Sequence, residues 1–344
     1  MDYSDAKKLK ERLKEELKRK IKYLGIESQF LKFHETQSEQ SLQYLGIGIH
    51  KDENNENYKV AIRVESEKDS DIIQKLVDQS TLNQIDLRVI GKVYAKAYTQ
   101  ESTFLEKLTR PLRLGASIGY MDITTGTLGC FVRDPNNPDQ TLILSNNHVL
   151  ANENHTTENA PITQPTKADG GGLPQYQVAS LYKYIPLQFG ENTINQVDAA
   201  VAAINEGVDN EPNEIPDAVS LRGLYSNPQN TLLGKVVVKQ GRTTGLTYGR
   251  ITTIELDDIL IKYVKGKCVF NGLIEIEGIN QRDSSEPGDS SVFSRPGDSG
   301  SLIIDTDGNA VGLLFAGNEQ ENISFATPIE IVLKNLDVEL ILNN

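Results

Sequence analysis

A serine hydroxyl is a weak nucleophile at neutral pH and becomes effective only beside a base, usually histidine, that a third group orients. The 344-residue chain offers two serines in near-identical settings, Ser299 in "SRPGDSGSLIID" and Ser290 in "SEPGDSSVF". Gly297 and Gly300 flank Ser299 and permit a tight, left-handed turn just before an apolar strand. Such a turn aims the backbone N–H groups of Gly297 and Ser299 into one cavity, the arrangement that stabilises an oxyanion. Ser290 lacks the second glycine and the bracing strand, so Ser299 is the stronger candidate.

A base and an acid must then come from elsewhere. Of the four histidines, only His148 directly follows an apolar strand, in "TLILSNNHVLAN". His34 and His50 lie in the N-terminal region, and His155 sits in the polar stretch "ENHTTEN". Asp198 is the single acid in "NQVDAAVAAI", flanked by Val197, Ala199, Ala200 and Val201. A carboxylate in so apolar a run is expected to be buried and to need a partner: a catalytic histidine, a backbone amide or an arginine. Cys130 and Cys268 have no nucleophile context and read as small buried hydrophobes. The glycine-rich "GKVVVKQGRTTGLTYGRI" fails the spacing of a phosphate loop, and its Arg242 reads as the partner of a surface acid. "DTDGNAV" reads as a hairpin turn rather than a calcium loop.

These residues need a scaffold. Residues 4–24 carry Leu9, Leu13, Leu17, Ile21 and Leu24 at helical spacing among many Lys and Arg residues. This basic amphipathic helix either binds a membrane or partner groove, or docks its leucine stripe on its own protein; the second reading is the simpler. Residues 40–97 read as a small α+β unit: a hairpin, a helix in "SDIIQKLVDQS" and a third strand in "DLRVIGKVYAK". "TFLEKLTRPLRLGAS" reads as a linker broken by Pro111 and Gly115. Beyond it, short strands at regular spacing imply a sandwich or barrel. The organisation expected is therefore a regulatory or docking unit over residues 1–110 and a β-rich unit over residues 111–344. A net charge of −13 and a pI near 4.9 disfavour nucleic acid and anionic lipid as partners. With no apolar signal core, no bilayer-length apolar segment and two cysteines, the sequence points to a cytoplasmic protein without a membrane span.

Taken in chain order, "SNNHV", "DAAVA" and "GDSGS" resemble the three catalytic neighbourhoods of the chymotrypsin-like serine proteases. "QPTKADGGG", "KQGRTTGLTYG" and "GLLFAGN" resemble its bacterial and plant trypsin-like branch without disulfides, and the resemblance spans residues 115–335. It implies a mainly β protein of two antiparallel six-stranded barrels, His148 and Asp198 coming from the first and Ser299 from the second. It further implies a protein or peptide substrate and no metal or cofactor.

Aligned on the serine turn, Phe293 falls at the base of the primary specificity pocket, which implies an apolar or small residue before the scissile bond. Asp289 and Glu286 take that place if an insertion shifts the register. Phe315, Ala316 and Gly317 fall on the strand that pairs with substrate backbone. Many relatives carry Ser where Phe315 stands, hydrogen-bonded to the catalytic acid. Asp298 is the residue that, in secreted relatives, pairs with a newly cut N-terminus, yet "RLGASIGYMD" lacks the usual Ile-Val-Gly-Gly opening. The expectation is a serine endopeptidase regulated by residues 1–110, which either cover the cleft or recruit an activating or inhibitory protein partner. The alternatives are a protease-fold pseudoenzyme serving as a binding or scaffold module, and an acyl hydrolase. Phe315 supports the former; "GDSG" and the His-before-Ser order oppose the latter.

Overall fold

The computed structural model describes residues 1–23, 45–52, 57–95, 108–121, 123–215, 218–279 and 292–342. Leu24, His34, Glu286, Asp289 and Ser290 fall outside these residues.

The first β-rich half is a curled antiparallel sheet whose centre is a hairpin. We label its strands β5 (Ser117–Tyr120), β6 (Cys130–Asp134), β7 (Asn137–Ser145), β8 (Pro161–Thr163), β9 (Gln177–Tyr184) and β10 (Ala200–Ile204). Apolar runs bury Phe131, Ile143, Leu144 and Val201 in one core. β7 pairs with β10 so that Ser145 faces Ala200 and Ile143 faces Ala202. Because the pair is antiparallel, the residues just after Ser145 and just before Ala200 emerge at the same end of the sheet. His148 and Asp198 are those residues. The sheet curls without closing among the described strands, so the six-stranded closure expected of it is only half realised.

The second half closes completely. Strands β11 (Val236–Gly241), β12 (Gly245–Asp257), β15 (Leu273–Ile279), β18 (Ile323–Pro328), β17 (Asn309–Asn318) and β16 (Leu302–Asp305) pair in that order, and β16 returns to β11. Between β12 and β15 the chain forms a side hairpin, β13 (Ile259–Lys262) and β14 (Lys267–Phe270). The β16–β17 hairpin turns at Asp305, whose carboxylate accepts the amides of Asp307 (3.0 Å) and Asn309 (2.8 Å), which is the turn its sequence predicts. Ser299 sits directly before β16 and is buried. This closed barrel beside a curled sheet is the mainly β architecture the sequence resemblance implies.

The N-terminal region is built onto the closed barrel. Helix α1 (Tyr3–Tyr23) lays Leu9, Leu13 and Leu17 on β1 (Gly46–Lys51) and β2 (Tyr58–Val64). Lys10 and Lys14 reach Asp257 at 2.9 and 3.1 Å, so the basic face pairs with the protein's own acids and the docked reading of the helix holds. β1 adds to the edge of β12, placing His50 opposite Thr253, and β3 (Ile85–Val89) lies parallel to β2. Helix α2 (Glu67–Leu76) starts at a capping box of Ser66 and Asp69.

The third strand expected in "DLRVIGKVYAK" divides in two at Gly91, whose φ is +62°. Its second part, β4 (Val93–Ala95), leaves β2 and pairs with other strands. It lies parallel to β13 and antiparallel to β17, with Ala95 opposite Ala316 and Tyr94 opposite Gly317.

The seam between the N-terminal strands and the barrel is polar at one point. Arg63 on β2 is fully buried and forks onto Glu275 of β15 at 2.7 and 2.9 Å, with Asp86 at 2.9 Å and Thr253 at 2.8 Å completing its donors. Burial alone would raise the Glu275 carboxyl, but the charge and hydrogen bonds of Arg63 outweigh it and hold it below the ordinary value. A depressed carboxyl stabilises the fold above its unfolded value and loses that contribution as pH falls through the folded one, so the seam weakens in acid. Glu275→Gln keeps the shape but strands the Arg63 charge, and should cost about 3–5 kcal/mol in urea unfolding at neutral pH, a deficit that shrinks as pH is lowered. An unchanged midpoint would mean that the seam does not depend on the pair.

Candidate active site

Each candidate residue is positioned by the end of a strand. After β7 the chain makes one short helical turn, Asn147–Leu150, which carries His148. His148 Nδ1 lies 2.6 Å from Asp198 Oδ2, and the His148 amide donates to Asp198 Oδ1 at 3.2 Å. Asn146 Nδ2 holds the Asp198 main-chain carbonyl at 2.7 Å. A third donor reaches the carboxylate from the second half: Tyr263 Oη, at 2.8 Å from Oδ2. With donors at every contact, Asp198 acts as acceptor throughout, which puts the ring proton on His148 Nδ1 and leaves a lone pair on Nε2. Nε2 is buried and makes no hydrogen bond in the described structure.

Ser299 lies in the turn that its two glycines allow, with Gly297 at φ +98° and Gly300 at φ +92°. A side chain at Gly300 would meet Ser145 Oγ at 2.1 Å and the Thr127 carbonyl at 2.3 Å, so the glycine is required by contact as well as conformation. Thr127 donates from its amide to the Ser299 carbonyl and from its hydroxyl to the Gly297 carbonyl, both at 2.8 Å. These contacts seat the turn against the end of β7, three residues before His148. Ser299 Oγ is hydrogen-bonded to the Phe315 carbonyl at 3.3 Å.

The turn is held from beneath by an internal ion pair. Asp298 is fully buried and lies 3.5 Å from Lys239 Nζ, itself fully buried on β11. Its carboxylate also accepts the amides of Arg295 (2.9 Å), Thr243 (2.8 Å) and Thr244 (3.1 Å), and the Thr244 hydroxyl (2.7 Å). Burial would raise the Asp298 carboxyl, but Lys239 and these donors hold it below the ordinary range. Burial also pulls Lys239 below its ordinary value, which Asp298 opposes. We take the pair as charged, because the carboxylate has four further donors and the ammonium has the Thr244 hydroxyl and the Gly245 carbonyl. Lys239 thus supplies, from within the chain, the cation that faces Asp298.

Arg242 pairs with Asp169, and its partner is a buried acid rather than a surface one. The Asp169 carboxylate also accepts the hydroxyls of Ser117 and Thr166, so the pair ties the first sheet to the turn that follows β11. Phe293 is fully buried in the barrel core, with Gly249 and Ile276 beside it and Lys239 Nζ 5.9 Å from its ring. Phe315 is likewise buried, its ring 4.9 Å from Phe270, while Ala316 and Gly317 pair with β4. His50 and His155 lie apart from this cluster, bonded to the carbonyls of Thr252 and Glu153. Both cysteines are buried, and burial pushes the Cys268 thiol up to about 12. Among the described residues no group of three or more His, Cys, Asp or Glu side chains is placed to hold a metal ion.

No family model and no curated protein matches the chain. Among solved structures it is similar to Thermobifida fusca protease A, at 16% identity over 67% of this chain and all of that one, with a TM-score of 0.44. It is also similar to the Cellulomonas bogoriensis chymotrypsin, at 16% identity over the same shares and a TM-score of 0.41. A glutamic-acid-specific serine protease matches at 15% identity over 67% of this chain and all of that one, with a TM-score of 0.44.

Lys239→Met should leave the Asp298 charge buried and unopposed, lowering stability by about 3–5 kcal/mol in denaturant unfolding and loosening the serine turn. Retained stability would show that the four other donors suffice for Asp298.

Proposed function

We propose that the chain is a serine endopeptidase. The observation that carries this reading is the buried His148–Asp198 pair at 2.6 Å, which leaves a basic Nε2 at the edge where the Ser299 turn packs. In this reading Ser299 Oγ attacks a peptide carbonyl while His148 Nε2 takes its proton. The C–N bond then breaks as His148 returns the proton to the leaving amine, and water repeats the sequence to release the acyl group. The amides of Gly297 and Ser299 receive the oxyanion, and Asp198 stabilises the imidazolium. The pseudoenzyme reading rests on Phe315, and Tyr263 weakens it by restoring a hydroxyl to Asp198.

The N-terminal region regulates this activity by covering the substrate strand. Ala316 and Gly317, assigned to substrate backbone, are already paired with Ala95 and Tyr94 of β4. An extended peptide adds to such an edge by the same main-chain bonds, so β4 and substrate compete. Beside β4 lies a cavity of about 630 Å³ lined by Tyr94, Ala95, Glu153, Tyr263, Pro296 and Gly317.

A fluorophosphonate probe should label the protein and fail to label Ser299→Ala, and Asp198→Asn should slow acylation by about 10⁴-fold. Labelling that survives Ser299→Ala would remove the nucleophile assignment. For regulation, Ala95→Pro takes a donor from β4 and should lower KM for a peptide substrate by about 3- to 10-fold, the scale of a 1 kcal/mol weakening of the competing strand. An unchanged KM would mean that β4 does not compete with substrate.

A further inference from the structure

The structure assigns Tyr263 as the residue that positions the catalytic acid from the opposite half of the molecule, in place of the hydroxyl that Phe315 removes from the substrate strand. This inference rests on the endopeptidase reading and concerns the same site.

The assignment begins with the carboxylate. Asp198 Oδ1 is held by the His148 amide at 3.2 Å, and Oδ2 receives both His148 Nδ1 at 2.6 Å and Tyr263 Oη at 2.8 Å. Without the tyrosine, Oδ2 would depend on the imidazole alone. The carboxylate could then rotate with the histidine instead of fixing it. Burial, followed by the negative charge of Asp198, holds the Tyr263 phenol well above its ordinary value, so it remains a donor across the working pH range.

The ring is fixed on several sides. It stands edge-on to His148, at 5.9 Å and 70°, and edge-on to Phe189, at 6.1 Å and 88°. It stacks on Phe270 at 6.3 Å and 28°, and Phe270 in turn packs on Phe315 at 4.9 Å. Phe315 therefore supplies packing that carries through to the tyrosine, and the hydroxyl absent from position 315 arrives from position 263.

The backbone that carries Tyr263 is also anchored. It begins the tight turn between β13 and β14, closed by its own amide on the Gly266 carbonyl at 2.8 Å. Glu153, in the loop that follows the His148 helix, takes the next two amides of that turn, Val264 at 3.0 Å and Lys265 at 2.6 Å. Glu153 is buried and adopts φ +55°, a conformation that its two bonds to the turn help to hold. The edge of β13 is covered by β4, with Val93 opposite Ile261 and Tyr94 opposite Lys262. The segment that covers the substrate strand thus also supports the strand leading into Tyr263.

The test is Tyr263→Phe in the full chain, which removes one oxygen and keeps the ring stack. We expect kcat/KM for a peptide substrate to fall by about 10-fold or more, mostly in kcat, as for loss of a hydrogen bond to a charged group. The downfield proton resonance of the His148 Nδ1–H bridge to Asp198 should shift or broaden, a readout that needs no turnover. Tyr182→Phe, which removes an exposed hydroxyl bonded to Asp134, should change neither. Adding Phe315→Ser to Tyr263→Phe should restore part of kcat. Glu153→Gln, which leaves Asp198 untouched, should lower kcat in the same direction by a smaller factor. A Tyr263→Phe protein with unchanged kcat and an unchanged downfield resonance would overturn the assignment. Failure of the parent chain to react with a fluorophosphonate would instead remove the endopeptidase reading, while the resonance would still report whether Tyr263 holds Asp198.

Discussion

A carboxylate buried without water must be met by charge and donors, and in this protein that requirement organises the turn that carries Ser299. Asp298 precedes Ser299 and is fully buried, so the turn that presents Ser299 cannot form unless the charge of Asp298 is answered. Lys239 answers it from β11, and residues 242–244 follow directly with amides and a hydroxyl for the same carboxylate. The glycine-rich stretch "KQGRTTG" is therefore the floor of the site. In the proposed endopeptidase the cation is part of the chain, so the turn would need no new N-terminus to set it, and assembly of the nucleophile would be separate from access to it.

Access depends on a different interaction, strand addition at the barrel edges. A closed barrel has no free edges, but the side hairpin and the long bent β12 create them. The N-terminal region uses both: β1 continues β12, and β4 lies between β13 and β17. The Arg63–Glu275 pair and the lysines of α1 fasten this region to the barrel through charge pairs that weaken in acid. The same segment therefore pairs with Ala316 and Gly317 and flanks the hairpin that reaches Asp198; in the proposed reading its release would expose the substrate strand while loosening the support of Asp198.

Much of the site was legible because its residues announce themselves against their surroundings. An acid in "VDAAVAA", a histidine at the exit of an apolar strand and a serine between two glycines are each locally conspicuous. Antiparallel pairing of β7 with β10 then brings the first two together without further information. Lys239 carries a related signal, a charge directly after the apolar run Val236–Val238 in "KVVVKQG", and the buried-charge argument applies to it as well. Tyr263 had no such signal. It stands in the ordinary polar turn "IKYVKGK", and its bond to Asp198 spans 65 positions through a hairpin register that sequence does not encode locally. The two-part course of "DLRVIGKVYAK" is hidden for a related reason, since a single Gly91 with positive φ redirects the strand from β2 to β13 and β17. Arg242 reads as the partner of a surface acid, but the acid is buried, because Asp169 comes from a glycine-rich turn 73 positions away.

The central claim is that the internal Lys239–Asp298 pair, rather than cleavage of the chain, sets the nucleophile turn. The most direct measurement is intact mass spectrometry of the full-length protein after brief exposure to a fluorophosphonate, followed by peptide mapping. The account predicts an adduct on Ser299 in chains of full, uncut mass. Adducts confined to chains that have lost N-terminal residues would contradict it, because the turn would then depend on a cut that the internal cation was supposed to make unnecessary.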